Sequence, residues 1–143
     1  MQFFGSILQM IIRFRYPVSM PQDIAEALGI SLKNTIAFER LLHSCQTCCP
    51  TSLIKFMPRI EAERMFHAAQ RKDRFTQSSL YSYYFNEGWL EFELQFDDLA
   101  RLRRLYIHHR LIADPTGFEL NLAVDPQGIE HPATDARDSL FIA

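Results

Sequence analysis

The residues best suited to chemistry cluster in "HSCQTCC", where His43, Cys45, Cys48 and Cys49 crowd together and account for all three cysteines of the chain. The C-x-x-C spacing of Cys45 and Cys48 lets two thiolates meet one metal ion or each other, the geometry of a small zinc or thiol-redox protein. No second C-x-x-C exists, so a zinc site would draw its remaining ligands from Cys49, His43 or a histidine delivered by the fold, such as His67, His108 or His109. The plainer reading is a set of reduced thiols, one or two of them buried, with no cofactor.

A second group lies further along. Glu91 and Glu93 are two residues apart, which on a strand places both carboxylates on one face, whereas the adjacent His108 and His109 would point to opposite faces and not share a site. A solvated strand face gives the same carboxylate spacing without any chemistry. The sequence holds no phosphate loop, nucleophile elbow, zinc-protease helix or dinucleotide fingerprint, which leaves an enzyme as the least supported class.

The elements that must position these residues divide into an α-rich first half and a β-rich second half. In "WLEFELQFD", Leu90, Phe92, Leu94 and Phe96 alternate with Glu91, Glu93, Gln95 and Asp97, the pattern of a half-buried strand. The preceding "LYSYYF" is rich in aromatic residues and ends at "NEG", a hairpin turn around Asn86 and Gly88. Residues 98–110 are ambiguous. Asp98 would cap a helix carrying Leu99, Leu102 and Ile112 on one side, but as a strand the segment sets Leu105 opposite Leu94 and Ile107 opposite Phe92 on the buried face. The same register sets Arg104 opposite Gln95 and His108 opposite Glu91 on the wet face, so the strand is preferred. "GFELNLAV" is expected to add a fourth strand. Upstream, Pro58, Glu61, Glu63, Arg71 and Lys72 mark the two ends of a helix over residues 58–72, with Ala62, Met65, Phe66 and Ala69 as its apolar stripe.

Residues 20–45 read as a helix pair, the second helix spanning about residues 32–44 with Ile36, Leu41 and Leu42 inward. Within it, Ile24, Ala25, Leu28, Gly29, Ile30 and Ser31 resemble the helix-turn-helix family of DNA-binding proteins, with Gly29 turning the chain. The resemblance covers residues 20–42. It implies a recognition helix from which Lys33, Asn34 and Arg40 reach duplex DNA, Asn34 bridging adenine and the basic residues taking phosphate or guanine. Thr35 stands where the family carries an aliphatic residue, with Ile36 one step late.

Composition supports a globular reading: 48% hydrophobic and 22% charged residues fit neither a disordered nor a collagen-like class. A formal charge of −2 withholds the excess of cations expected of a nucleic-acid-binding domain. That charge is uneven. Residues 114–143 carry Asp114, Glu119, Asp125, Glu130, Asp135 and Asp138 against Arg137 alone, so the body before them is mildly basic. Such an acidic segment solvates a chain or shields a basic face from the wrong polyanions. The apolar stretch in residues 1–19 is broken at Arg13, too short to span a bilayer and without the flanks of a secretory signal; it reads as an apolar helix of the core, and the location as cytoplasmic.

The expected architecture is therefore α+β. N-terminal helices precede a three- or four-stranded antiparallel meander over residues 80–124 packed on the Pro58 helix, all within one domain over residues 1–124, followed by an acidic flexible tail at 125–143. The exposed sheet face would present Arg104, Tyr106, His108, Glu91 and Glu93. The leading expectation for function is a non-enzymatic interaction or regulatory module that meets a protein partner through this face or an edge strand, with the DNA-binding and zinc or thiol readings as alternatives.

Overall fold

The computed structural model describes residues 16–32 and 37–124 of the 143. The apolar helix expected in residues 1–19, except for its last four residues, and the tail expected at 125–143 lie outside the described residues, as do Ile36 and the proposed DNA contacts Lys33 and Asn34. The described chain is α+β: short helices followed by an antiparallel sheet.

Helix α1 is Pro21–Leu28. Proline opens it where its missing N–H costs nothing, and the Asp23 carboxylate accepts the Met20 N–H at 3.1 Å. Gly29 ends it in the left-handed region at φ 70°, a conformation L side chains rarely adopt. A Cβ there would also run into the hydroxyls of Thr51 and Ser52. Helix α2 is Phe38–Thr47, burying Phe38, Leu41, Leu42 and Cys45. The expected start at Leu32 is corrected: Ser31 and Leu32 are not helical, and the helix begins where Phe38 can reach the aromatic rings of Phe85 and His109, at 5.2 and 4.8 Å between centroids.

The helix expected over residues 58–72 is also shorter than its sequence signals suggest. Helix α3 spans Arg59–Arg64 only and then tightens into turns whose N–H groups bond three residues back, Phe66 to Glu63 and Ala69 to Phe66, both at 3.1 Å. This keeps Ala62, Phe66 and Ala69 buried as expected. Arg71 and Lys72, which resemble the cationic end of a helix, instead belong to a strand, Arg71–Arg74, because the ladder with the following hairpin outweighs their local helix preference.

After β1 (Ile54–Lys55), the strands are β2 (Arg71–Arg74), β3 (Ser78–Phe85), β4 (Gly88–Phe96), β5 (Leu102–His108), β6 (Phe118–Leu120) and β7 (Ala123–Val124). Strands β2 to β6 form a five-stranded antiparallel meander in chain order, one strand more than the most that was expected. Residues 98–110 resolve as a turn followed by β5, and the pairs Leu94–Leu105, Phe92–Ile107, Gln95–Arg104 and Glu91–His108 all form. The segment expected as a fourth strand divides, β6 joining β5 and β7 running parallel to β1. The inner face carries Tyr81, Tyr83, Leu90, Phe92, Leu94, Leu105 and Ile107, continuous with Ile24, Leu28 and Leu41 of the helices. Phe66 lies stacked on Tyr81 at 5.0 Å and tilted against Phe92 at 5.5 Å, so the region after α3 roofs the sheet centre.

One polar cluster ties helix to sheet. The Arg59 side chain, 9% exposed, donates through Nε to Glu63 at 2.8 Å, through Nη1 to the Thr76 carbonyl at 2.8 Å and through Nη2 to the carbonyls of Phe75 and Ser78 at 2.7 and 3.0 Å. Its guanidinium also lies 4.6 Å from the centre of the Phe96 ring. Glu63 accepts further bonds from Ser79 Oγ and from Arg74 Nε. Burial pushes the Glu63 carboxyl up, but bonds from Ser79, Arg59 and Arg74 and the Arg59 charge outweigh it and hold the group below its ordinary value.

Removing one partner of a buried pair leaves the other uncompensated. Arg59→Ala is expected to cost about 3–5 kcal/mol in urea denaturation, and a loss near zero would contradict the role given to Arg59. A carboxyl held below its unfolded value contributes fully above that value and loses the contribution as pH falls through its folded value. Stability should therefore decline on acidification below the ordinary value of 4.5, with Glu63→Gln flattening the decline in a denaturation series across acidic pH.

Candidate functional site

Because cross-strand partners share a face, the register fixes what the outer side of the sheet displays. One row runs Asp73, Leu80, Glu93, Tyr106 and Glu119 across all five strands, and the next places Arg71, Ser82, Glu91 and His108 side by side. The five residues expected on this face, Glu91, Glu93, Arg104, Tyr106 and His108, are thus brought together. Glu93 Oε1 lies 2.9 Å from His108 Nε2 and its Oε2 accepts from Gln95 at 3.0 Å. Glu91 accepts from Ser82 Oγ at 3.3 Å through Oε2, and its Oε1 has no hydrogen-bond partner among the described residues. Arg104 Nη1 donates to the Tyr106 hydroxyl at 3.2 Å; that bond, the Tyr106 hydroxyl itself and nearby Glu119 hold the guanidinium above its ordinary value.

Two depressions open on this face, and Glu91 and His108 border both. The first, about 320 Å³, has Phe75 and Leu80 as its apolar lining and Glu91 and Glu93 as its charged wall. The second, about 300 Å³, lies between Trp89, Arg110, Ile112 and Asp114. His108 is held from a second direction by the loop that follows β5. Gly117, at φ +89°, brings its backbone so near the ring that a Cβ would lie 2.5 Å from His108 Cε1.

His109 follows the last residue of β5 and, although it borders the second depression with His108, is buried. Its ring packs against Phe38, its Nδ1 accepts from the Leu111 N–H at 3.1 Å, and burial holds its imidazole below the ordinary value. The cysteine cluster does not converge. Cys45 is fully buried in the core, where burial, and secondarily Cys48, push its thiol up to about 12, far from the thiolate a metal needs. Cys48 and Cys49 are exposed, with Cys49 Sγ donating to the Asn121 carbonyl at 3.3 Å, and His43 is exposed on α2. No group of three or more His, Cys, Asp or Glu side chains among the described residues is placed to hold a metal ion. Of the proposed DNA contacts only Arg40 is described, exposed on α2.

Leu80, Ser82, Phe75 and Trp89 belong to the outer face and were not anticipated there. The first two were accessible to the rule that placed Glu91 and Glu93, since in "LYSYYF" Leu80 and Ser82 alternate with the inward Tyr81 and Tyr83. No helix of the described residues is long and apolar enough to cross a membrane. Comparison with protein-family models, with curated proteins and with solved structures finds no match to this chain.

The Gly117 backbone has no room for a side chain and a conformation that disfavours one. Gly117→Ala is expected to destabilise the protein by about 1–3 kcal/mol and to shift the His108 ring resonances in an NMR spectrum; unchanged resonances would mean that the loop does not position His108.

Proposed function

We propose that this chain is a non-enzymatic binding module that receives a basic segment of a partner protein on the outer sheet face. The observation that carries the reading is the first depression, where two carboxylates on adjacent face positions of β4 stand beside the apolar side chains of Leu80 and Phe75. A lysine or arginine has the matching structure. Its aliphatic stem covers apolar surface while its charged head seeks a carboxylate, and the unpartnered Oε1 of Glu91 supplies an acceptor.

The surrounding groups suit the rim of such a contact. Arg104 and Tyr106 form an exposed pair on the neighbouring strand, residue types that often dominate binding energy when a partner covers them. The Gln95 and His108 contacts keep Glu93 fixed, which lowers the ordering cost of binding. A hydrogen bond to a charged group contributes about 1.5–3 kcal/mol, enough for one well-placed cationic side chain to change affinity roughly tenfold or more.

A peptide array that varies only the central side chain tests this directly. Peptides centred on Arg or Lys should be retained over their Glu and norleucine counterparts, and Glu91→Gln with Glu93→Gln should remove the preference. Retention of acidic peptides, or preference unchanged in the double variant, would contradict it.

A further inference from the structure

The second depression of the outer face is built differently from the first. Two of its walls carry opposite charge, Asp114 on the loop after β5 and Arg110 just past the end of that strand, and Trp89, His108 and Ile112 also line it. These two charges do not pair with each other. Asp114 accepts through Oδ1 from the Thr116 N–H at 3.0 Å and the Thr116 hydroxyl at 2.9 Å, and its Oδ2 has no partner among the described residues. Arg110 donates through Nε to the Glu87 carbonyl at 2.7 Å, and its two terminal nitrogens have no partner among the described residues. The other polar groups are engaged. His108 meets Glu93, and Glu91 stands on the border shared with the first depression. The Arg71 guanidinium lies over the Trp89 ring with Cζ 5.3 Å from its centroid, and Tyr16 and Tyr84 meet that ring at steep angles, with centroids at 4.9 and 5.2 Å.

What remains open is an acceptor on Asp114 and donors on Arg110. A second cation entering here would meet Arg110 and find Arg71 already over the indole, and an acidic side chain would meet Asp114 and Glu91. A carboxamide complements both walls, since its NH2 donates to a carboxylate while its C=O accepts from a guanidinium. Strand β4 gives the spacing. The first depression spans the face positions of Glu93 and Glu91, and the second those of Glu91 and Trp89, an offset of one face position or about 7 Å along the strand. Side chains on one face of an extended partner segment have that same spacing when they are two residues apart. We propose, resting on the reading of this face as a receptor for a basic segment, that the second depression receives a glutamine or asparagine side chain two residues from the arginine or lysine held at Glu91 and Glu93.

Peptides with arginine fixed at the centre and the flanking positions varied, arrayed and probed with the full chain, test the proposal. Glutamine or asparagine two residues from the centre, on one side, should raise retention roughly threefold or more over arginine, glutamate or leucine at that position, the scale of one modest hydrogen bond. The two walls have opposite signatures. Asp114→Asn keeps an oxygen for Thr116 but leaves Arg110 unopposed, and should move the preference at that position to glutamate; Arg110→Gln should move it to arginine or lysine. Both variants should still prefer arginine at the centre, which Glu91→Gln with Glu93→Gln should abolish. With the central arginine still preferred, an absent preference two residues away, a preference at another spacing, or variants that shift selection in the same direction would overturn this inference alone. Loss of the central preference in the unaltered chain would overturn the proposed function and this inference with it.

Discussion

The constraint on which the rest of this structure depends is the seating of one guanidinium. Arg59 is anchored in a helix of only six residues, too short to persist on its own backbone bonds, yet its side chain reaches two carbonyls of the turn that joins β2 to β3 and that of Ser78 at the start of β3. The carbonyls of Phe75 and Thr76 lie outside the strands, and that of Ser78 also accepts the Phe75 N–H at 2.8 Å. By accepting from Arg59 they fix where β3 begins, and Ser79, which also meets Glu63, is the first inward residue of that strand. A charge in this position is normally costly to bury. Here Glu63, the carbonyls and the face of Phe96 together replace the water it gives up, and the helix is thereby held over the sheet.

From that seating the outer face follows without further assumptions. Once the start of β3 is set, the two-residue turn at Asn86 and Glu87 sets the register of β4, because Phe85 must face Gly88. The Asp97 turn then sets β5: its carboxylate accepts the backbone N–H groups of Leu99 and Arg101, both at 2.9 Å, and the side chain of Arg101 at 3.0 Å. A register error of one residue at either turn would exchange Phe92 with Glu93 and put the carboxylates into the core. The clustering of Glu91, Glu93, Tyr106 and His108 is thus a by-product of burying Phe92, Leu94, Leu105 and Ile107, and the same apolar residues that stabilise the sheet aim the polar ones outward.

This is also why the sheet was legible in the sequence and the helices around it less so. Two segments that alternate apolar and polar residues in matching phase define their pairing almost completely, and the four pairs anticipated between β4 and β5 are those observed. Strand β2 carries no such information. Arg71, Lys72, Asp73 and Arg74 are all polar, and they are extended only because Ser79 to Ser82 offer them a ladder, so composition alone pointed to the end of a helix. Arg59 was equally hidden, since nothing in its neighbourhood distinguishes a buried arginine from an exposed one until Phe75, Thr76 and Ser78 have been folded back beside it. The cysteines show the converse. A spacing of C-x-x-C is compatible with metal binding, but on α2 it sends Cys45 into the core and leaves Cys48 past the last helical residue, so the helix and not the spacing decides which thiol is accessible.

The distribution of charge along the sheet distinguishes its outer face from its two edges. An open edge strand is the simplest route to adding another chain, and this sheet has two ends among the described residues, β2 and β6. At β2 the side chains of Arg71, Lys72 and Arg74 are exposed on a strand of four residues, so a second copy approaching there meets its own cations, and at β6 only three residues are available for pairing. Neither edge offers the length or the apolar character that stable strand addition requires. The outer face lacks both obstacles: its charges have mixed sign, its ring and aliphatic groups are part-exposed, and its centre is braced by Ser82, Gln95 and the loop at Gly117. Recognition by side chains on a preformed surface is what such a face permits, while the charged and shortened edges suppress uncontrolled extension of the sheet.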